Sequence, residues 1–171
     1  MTSTIMSVSS KKITPCLWFD GQAEEAANLY TSLFKNSRIT KVTRYTEAGK
    51  EIHGQPAGQV LVVAFELSGQ SFVALNGGPQ FKFNEAVSFQ IDCADQAEVD
   101  TFWTELGKGG DESKRQCGWL ADRFGVSWQV VPNALTKMLD DPDVEKVKRV
   151  TEAMMSMKKL DIAGLQKAYD G

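Results

Sequence analysis

Side chains that could bind a small molecule occupy alternate positions of two strand-like segments, 13–19 and 86–93. Residues at every second position of a β-strand share one face. The polar, thiol and aromatic members of these faces are Thr14, Cys16, Trp18, Ser88 and Gln90. Hydroxyl and amide groups can hydrogen-bond a small ligand, and an indole ring can stack on one. These residues are therefore candidates for a pocket.

Two further amides extend this candidate set. Asn76 lies at the end of a predicted strand, and Gln129 lies in the last strand candidate. The alternative interpretation is a half-polar sheet face filled by water or neighbouring side chains, in which Gln90 and Gln129 bond each other. Both interpretations remain open at the level of sequence.

The small number of cysteine and histidine residues limits the metal sites and catalytic triads that the chain could form. Cys16, Cys93 and Cys117 form an odd set without metal-ligand spacing, which is typical of a reducing cytoplasm. Cys117 is a further candidate ligand-binding residue, and it is either a reactive thiol or a small buried residue. The single histidine, His53, argues against a histidine-rich metal site or a Ser-His-Asp triad.

Composition indicates an ordinary folded chain. The 171 residues are 42% hydrophobic and 24% charged, with a formal net charge of −3. This length suits one domain or two small fused modules, and the net charge argues against nucleic acid as a partner. No segment reaches the ~20 apolar residues of a membrane helix. Residues 1–12 are predicted to be a disordered tail.

The chain repeats an order of elements. Leu17 and the sequence Gln-Ala-Glu at 22–24 recur 74 residues later as Ile91 and Gln-Ala-Glu at 96–98. Each half is predicted to follow the order β-α-β-β-β, with modules at about 13–79 and 85–131. Residues 132–171 are predicted to be a helical extension of the same domain. The predicted fold class is α+β.

The long motifs resemble a known family. They are TPCLWFDG at 14–21 with AEEA at 23–26, FVALNGGP at 72–79, QCGWL at 116–120, DRFGVSWQV at 122–130 and MKKLDI at 157–162. Together they resemble the PhnB-like group, labelled 3-demethylubiquinone-9 3-methyltransferase-like, of the vicinal-oxygen-chelate or glyoxalase/bleomycin-resistance superfamily. The resemblance covers roughly residues 11–168.

This resemblance implies paired βαβββ modules with a cleft between them, and a homodimer. Superfamily enzymes hold a divalent metal at positions that fall near Thr14, Asn76, Ala86 and Gln129 here. Neutral hydroxyl and amide oxygens are poor ligands for zinc, nickel or iron. We therefore predict no cofactor, although the superfamily would allow a divalent metal.

Three functions follow as hypotheses, and whether the chain is an enzyme is left open. The first is binding of a small polar or aromatic molecule in the cleft. The second is a metal-dependent lyase, isomerase or dioxygenase. The third is the methyltransferase of the family label, for which the sequence offers no S-adenosylmethionine motif, since no glycine-rich turn follows the first strand of a doubly wound sheet. We expect a cytoplasmic protein without a nucleic-acid or membrane partner.

Overall fold

A computed structural model of the chain describes residues 13–171. The predicted disordered tail at 1–12 lies outside the described residues. The chain divides into two compact units, one ending at Lys82 and the other spanning Phe83–Gly171. Both combine a small sheet with helices, which confirms the predicted α+β class.

The first unit is a four-stranded sheet with one long helix. Its elements are β1 (Cys16–Phe19), α1 (Ala23–Leu33), β2 (Arg38–Arg44), α2 (Lys50–His53), β3 (Val60–Leu67) and β4 (Gln70–Asn76). The strand order is β1-β4-β3-β2; β1 runs parallel to β4, and the other pairs are antiparallel. Alternation places Leu17 and Phe19 in the core beneath α1, as the sequence predicts.

The second unit contains one strand fewer than predicted. Its elements are β5 (Phe89–Cys93), α3 (Gln96–Gly107), a 3-10 turn (Glu112–Lys114), β6 (Trp119–Ala121) and β7 (Ser127–Pro132). The sheet order is β5-β7-β6, with β5 and β7 parallel. Among the described residues the second module therefore has the order β-α-β-β: Asp111 caps the 3-10 turn through Ser113 N, and this segment adds no strand to the sheet.

The start of α3 has the spacing of a capping box, with Asp95 three residues before Glu98. The Asp95 side chain accepts from Glu98 N at 2.9 Å, and the Glu98 carboxylate accepts from Ala94 N at 2.9 Å. Leu17 and Ile91, the repeated positions, are both buried. The sequence repeat thus marks equivalent positions in the two sheets.

The predicted extension is helical. It forms α4 (Asn133–Leu139), α5 (Val144–Met155) and α6 (Ile162–Asp170), which bury Leu135, Met138, Val150, Leu160 and Leu165 together. The turn at Cys117 and Gly118, just before β6, is bonded to this extension. Cys117 N donates to Met157 O at 2.9 Å, and Gly118 N donates to Lys158 O at 2.8 Å. Among the described residues, no helix has the length and apolar character required to cross a bilayer.

Candidate functional site

The first sheet has one face covered by α1 and one open face. Cys16 and Trp18 of β1 lie on the open face, since their neighbours Leu17 and Phe19 are buried under the helix. The strand register places four small or aliphatic side chains on the same open face: Val73, Leu75, Val62 and Ala64. All four are half-buried. The candidate site in this unit is therefore apolar, with Trp18 as its largest group.

Trp18 is fixed by the chain segment that follows β4. Its indole N–H donates to Gly78 O at 2.8 Å. Its ring lies so close to Gly77 that a Cβ there would be 2.2 Å from a ring atom. Phe81 meets the ring edge-on at 4.9 Å and is itself 64% exposed. The half-buried Trp18 ring is thus held in one orientation at the edge of solvent.

Asn76 does not join this face, which corrects its predicted position. It pairs in register with Phe19, and it is buried on the side of α1. Its Oδ1 accepts from Ala23 N at 2.9 Å, and its Nδ2 donates to Val60 O at 3.0 Å. The amide therefore connects the start of α1 to the sheet.

We expect Asn76→Ala to lower the free energy of unfolding by about 2 kcal/mol, because it leaves a buried donor and a buried acceptor unpaired. Urea denaturation followed by circular dichroism measures this. Asn28→Ala, an exposed change on α1, is the control and should cost under ~0.5 kcal/mol. Equal stability of both variants would contradict a structural role for Asn76.

The second sheet brings several of the predicted polar residues together. Gln90 pairs in register with Gln129, so both lie on the face opposite the buried Ile91 and Val130. They do not bond each other: Gln129 Nε2 donates to Ser88 Oγ at 2.9 Å, and Gln90 Nε2 donates to Asp92 at 2.8 Å. Ser88, Gln90 and Gln129 thus form a polar face within this unit.

Asp122 is the residue that sequence analysis missed. Asp122 begins the turn between β6 and β7, where an aspartate is usually exposed, but it is only 2% exposed. Oδ1 accepts from Phe124 N at 2.9 Å and Val126 N at 3.0 Å, and Oδ2 accepts from Trp128 Nε1 at 2.9 Å. The motif DRFGVSW contains all three partners, but aspartate in a turn is usually exposed, so its spacing does not indicate this burial.

The three thiols lie in different environments. Burial raises the pKa of the Cys93 thiol to about 12, and nearby carboxylates add to this shift. Burial also raises the pKa of Cys16 on the open face. Neither environment favours a thiolate nucleophile at neutral pH. Cys117 is half-buried in a turn at φ 51°, and its thiol lies 3.7 Å from the Met155 sulfur.

The superfamily's metal positions do not fit a divalent cation here. Thr14 is exposed and precedes β1, and Ala86 has no donor atom. The Asn76 oxygen accepts from the Ala23 N–H, and Gln129 donates through Nε2 to Ser88 Oγ, which leaves a neutral amide oxygen as its only possible metal ligand. Within residues 13–171, no three His, Cys, Asp or Glu side chains converge as a metal would require.

A family model described as 3-demethylubiquinone-9 3-methyltransferase matches residues 11–131. The chain therefore belongs to this family, and the resemblance to the PhnB-like group is confirmed. The family match ends at residue 131, within β7, and does not include the helical extension that the expected resemblance to residue 168 covers.

The solved structures include related chains. A Bacillus cereus protein described as a putative 3-demethylubiquinone-9 3-methyltransferase, PhnB protein, is 36% identical; the match covers 71% of this chain and 99% of that one, with a TM-score of 0.63. A Staphylococcus aureus protein is 31% identical over 68% of this chain and 91% of its own, with a TM-score of 0.30. A Listeria monocytogenes fosfomycin resistance protein, FosX, is 15% identical over 78% of this chain and 100% of its own, with a TM-score of 0.49. A comparison with the curated proteins gives no match.

Proposed function

We propose that this protein binds a small molecule with a flat aromatic ring on the open face of the first sheet. The observation that carries the proposal is the Trp18 ring, which is half-exposed and held by Gly78 O and by contact with Gly77. A fixed ring loses little conformational freedom when a ligand stacks on it, so more of the contact energy appears as affinity. Leu75 and Val73 beside it supply an apolar surface.

The donor chemistry favours binding over the two enzymatic alternatives. Asn76, which would be a metal ligand, bonds to backbone groups on the far side of the sheet. For the methyltransferase alternative, Gly77 and Gly78 follow β4 but lead into a loop, and the glycine-rich turn of a dinucleotide-type fold leads into a helix. A homodimer and a cytoplasmic location stay predictions.

Native mass spectrometry of gently purified protein, with metal analysis of the same sample, tests the proposal directly. A retained organic molecule with no stoichiometric metal would support a binding protein and identify the ligand class. One divalent metal per chain would overturn the proposal in favour of a metal-dependent enzyme.

Trp18→Ala is expected to weaken binding of the retained molecule at least about tenfold, because it removes the ring on which the ligand stacks. Fluorescence titration and thermal shift measure this. Trp119→Phe is the matched control: it changes a half-buried tryptophan of the second sheet and should leave the affinity within about twofold. Trp18→Phe, which retains a ring, should have an intermediate affinity.

Unchanged affinity in a folded Trp18→Ala variant would refute binding at the first sheet. Gln129→Ala provides the complementary measurement. A loss of affinity in Gln129→Ala, with Trp18→Ala unaffected, would place the ligand on the polar face of the second sheet instead.

A further inference from the structure

The first unit contains a cavity whose lining includes neither Trp18 nor the four small or aliphatic side chains of the open face, although it shares Gly78, the acceptor of the Trp18 indole N–H. It has a volume of about 340 Å³ and lies where β1 and β4 end and α1 begins. The polar side chains that line it include Asp20, Glu24, Tyr45, Gln55 and Gln59. They come from three separate parts of the sequence, so the fold rather than one local motif brings them together.

Part of the cavity wall is rigid. The Tyr45 hydroxyl donates to Asn76 O at 2.6 Å, and both residues are buried. The His53 ring packs on Tyr45 at 4.5 Å, and its Nδ1 accepts from Gln55 N at 3.0 Å. These contacts hold the Gln55 backbone against the wall.

Four of the lining side chains have unused hydrogen-bonding capacity. Within residues 13–171, the side chains of Asp20, Glu24, Gln55 and Gln59 form no hydrogen bond or ion pair with the protein. The start of α1 explains acidic residues at 20 and 24, because a helix N-terminus favours negative charge. It does not explain two carboxamides that another loop contributes to the same cavity.

The lining also defines the charge of a suitable ligand. It includes two carboxylates and none of the described Lys, Arg or His side chains. A carboxamide both donates and accepts, which suits hydroxyl groups, and a carboxylate favours an ammonium group. We infer that this cavity binds a small hydroxylated amine, with its ammonium at Asp20 and Glu24 and its hydroxyls at Gln55 and Gln59.

The test uses N-methylglucamine, a cationic amino-polyol, and sorbitol, a neutral polyol of similar length. Isothermal titration with the full chain measures affinity, and heteronuclear NMR locates the bound molecule. We expect saturable binding of N-methylglucamine, at least about tenfold tighter than sorbitol, with shifted amide signals at Gly21 and Glu24. Glu24→Gln should weaken N-methylglucamine binding by about fivefold or more and leave sorbitol unchanged.

Glu25→Gln is the matched control, since Glu25 is exposed, neighbours Glu24 and does not line the cavity. It should change the affinity by less than about twofold at 0.15 M salt.

Gln59→Leu should lower the affinity for both ligands, because it removes a hydrogen-bond partner of their hydroxyl groups. The inference is overturned if N-methylglucamine does not bind, if sorbitol binds equally well, or if Glu25→Gln matches Glu24→Gln. Val73→Ala changes the open face at a residue that does not line the cavity, so it should not affect this binding, which separates the inference from the proposed function.

Discussion

Replacing Asp122 by alanine is expected to lower the free energy of unfolding by about 4 kcal/mol, since each buried donor left without a partner costs ~1–3 kcal/mol. Phe124 N, Val126 N and Trp128 Nε1 all donate to this one carboxylate. The turn between β6 and β7 and the packing of Trp128 therefore depend on the same side chain. Urea denaturation followed by tryptophan fluorescence measures the loss.

Asp122→Asn separates the two sides of this carboxylate. Its oxygen can still accept from the turn amides, but its NH₂ group would face the Trp128 N–H. We therefore expect the free energy of unfolding to fall by less than in Asp122→Ala. Asp111→Ala is the control, because Asp111 caps an exposed 3-10 turn and should cost only ~1 kcal/mol. Equal losses for Asp122→Ala and Asp111→Ala would show that the buried network contributes little.

Gly77→Ala is expected to destabilise the first unit by about 3 kcal/mol, at the upper end of the cost of overpacking. The new Cβ would lie 2.2 Å from a Trp18 ring atom, and the backbone resists a shift because Gly77 N donates to Phe19 O at 3.0 Å. The ring must therefore leave its position. Thermal and urea denaturation measure the stability, and near-ultraviolet circular dichroism reports the Trp18 environment.

A double-mutant cycle with Trp18→Ala identifies the cause. Without the indole, Gly77→Ala should cost less than ~1 kcal/mol, so the coupling between the two positions should be large. Gly58→Ala is the control, since no heavy atom lies within 4 Å of its Cβ position and its cost comes only from φ +88°. If Gly77→Ala costs as much without Trp18 as with it, the close contact is not the cause.

The sequence predicted the elements better than the faces. Alternation around Leu17 and Phe19 and the Asp95 capping box depend on local spacing, which is why β1 and α3 lie where expected. Asn76 was assigned to the wrong face because the resemblance placed it among ligand positions. Its bond to Ala23 N joins residues 53 apart in sequence, and no local pattern reports such a contact.

For the candidate site, the sequence predicts which residues share a strand face but does not predict contacts between distant segments. Cys16 and Trp18 share a face through simple strand geometry, and so do Gln90 and Gln129 through their register. The burial of Asp122 could not be inferred, because aspartate in a turn is usually exposed. The close approach of Gly77 to Trp18 is likewise a tertiary contact that spacing does not encode.

The end of the family match is not the end of a folding unit. The turn at Cys117 and Gly118 donates to carbonyls of Met157 and Lys158, and the Gln96 side chain of α3 bonds both Leu160 O and Ile162 N. We therefore expect the amide protons at 117 and 118 to be protected from exchange only while the extension is docked. We also expect the helices that follow β7 to unfold together with the second sheet, because both belong to one compact unit and share these hydrogen bonds.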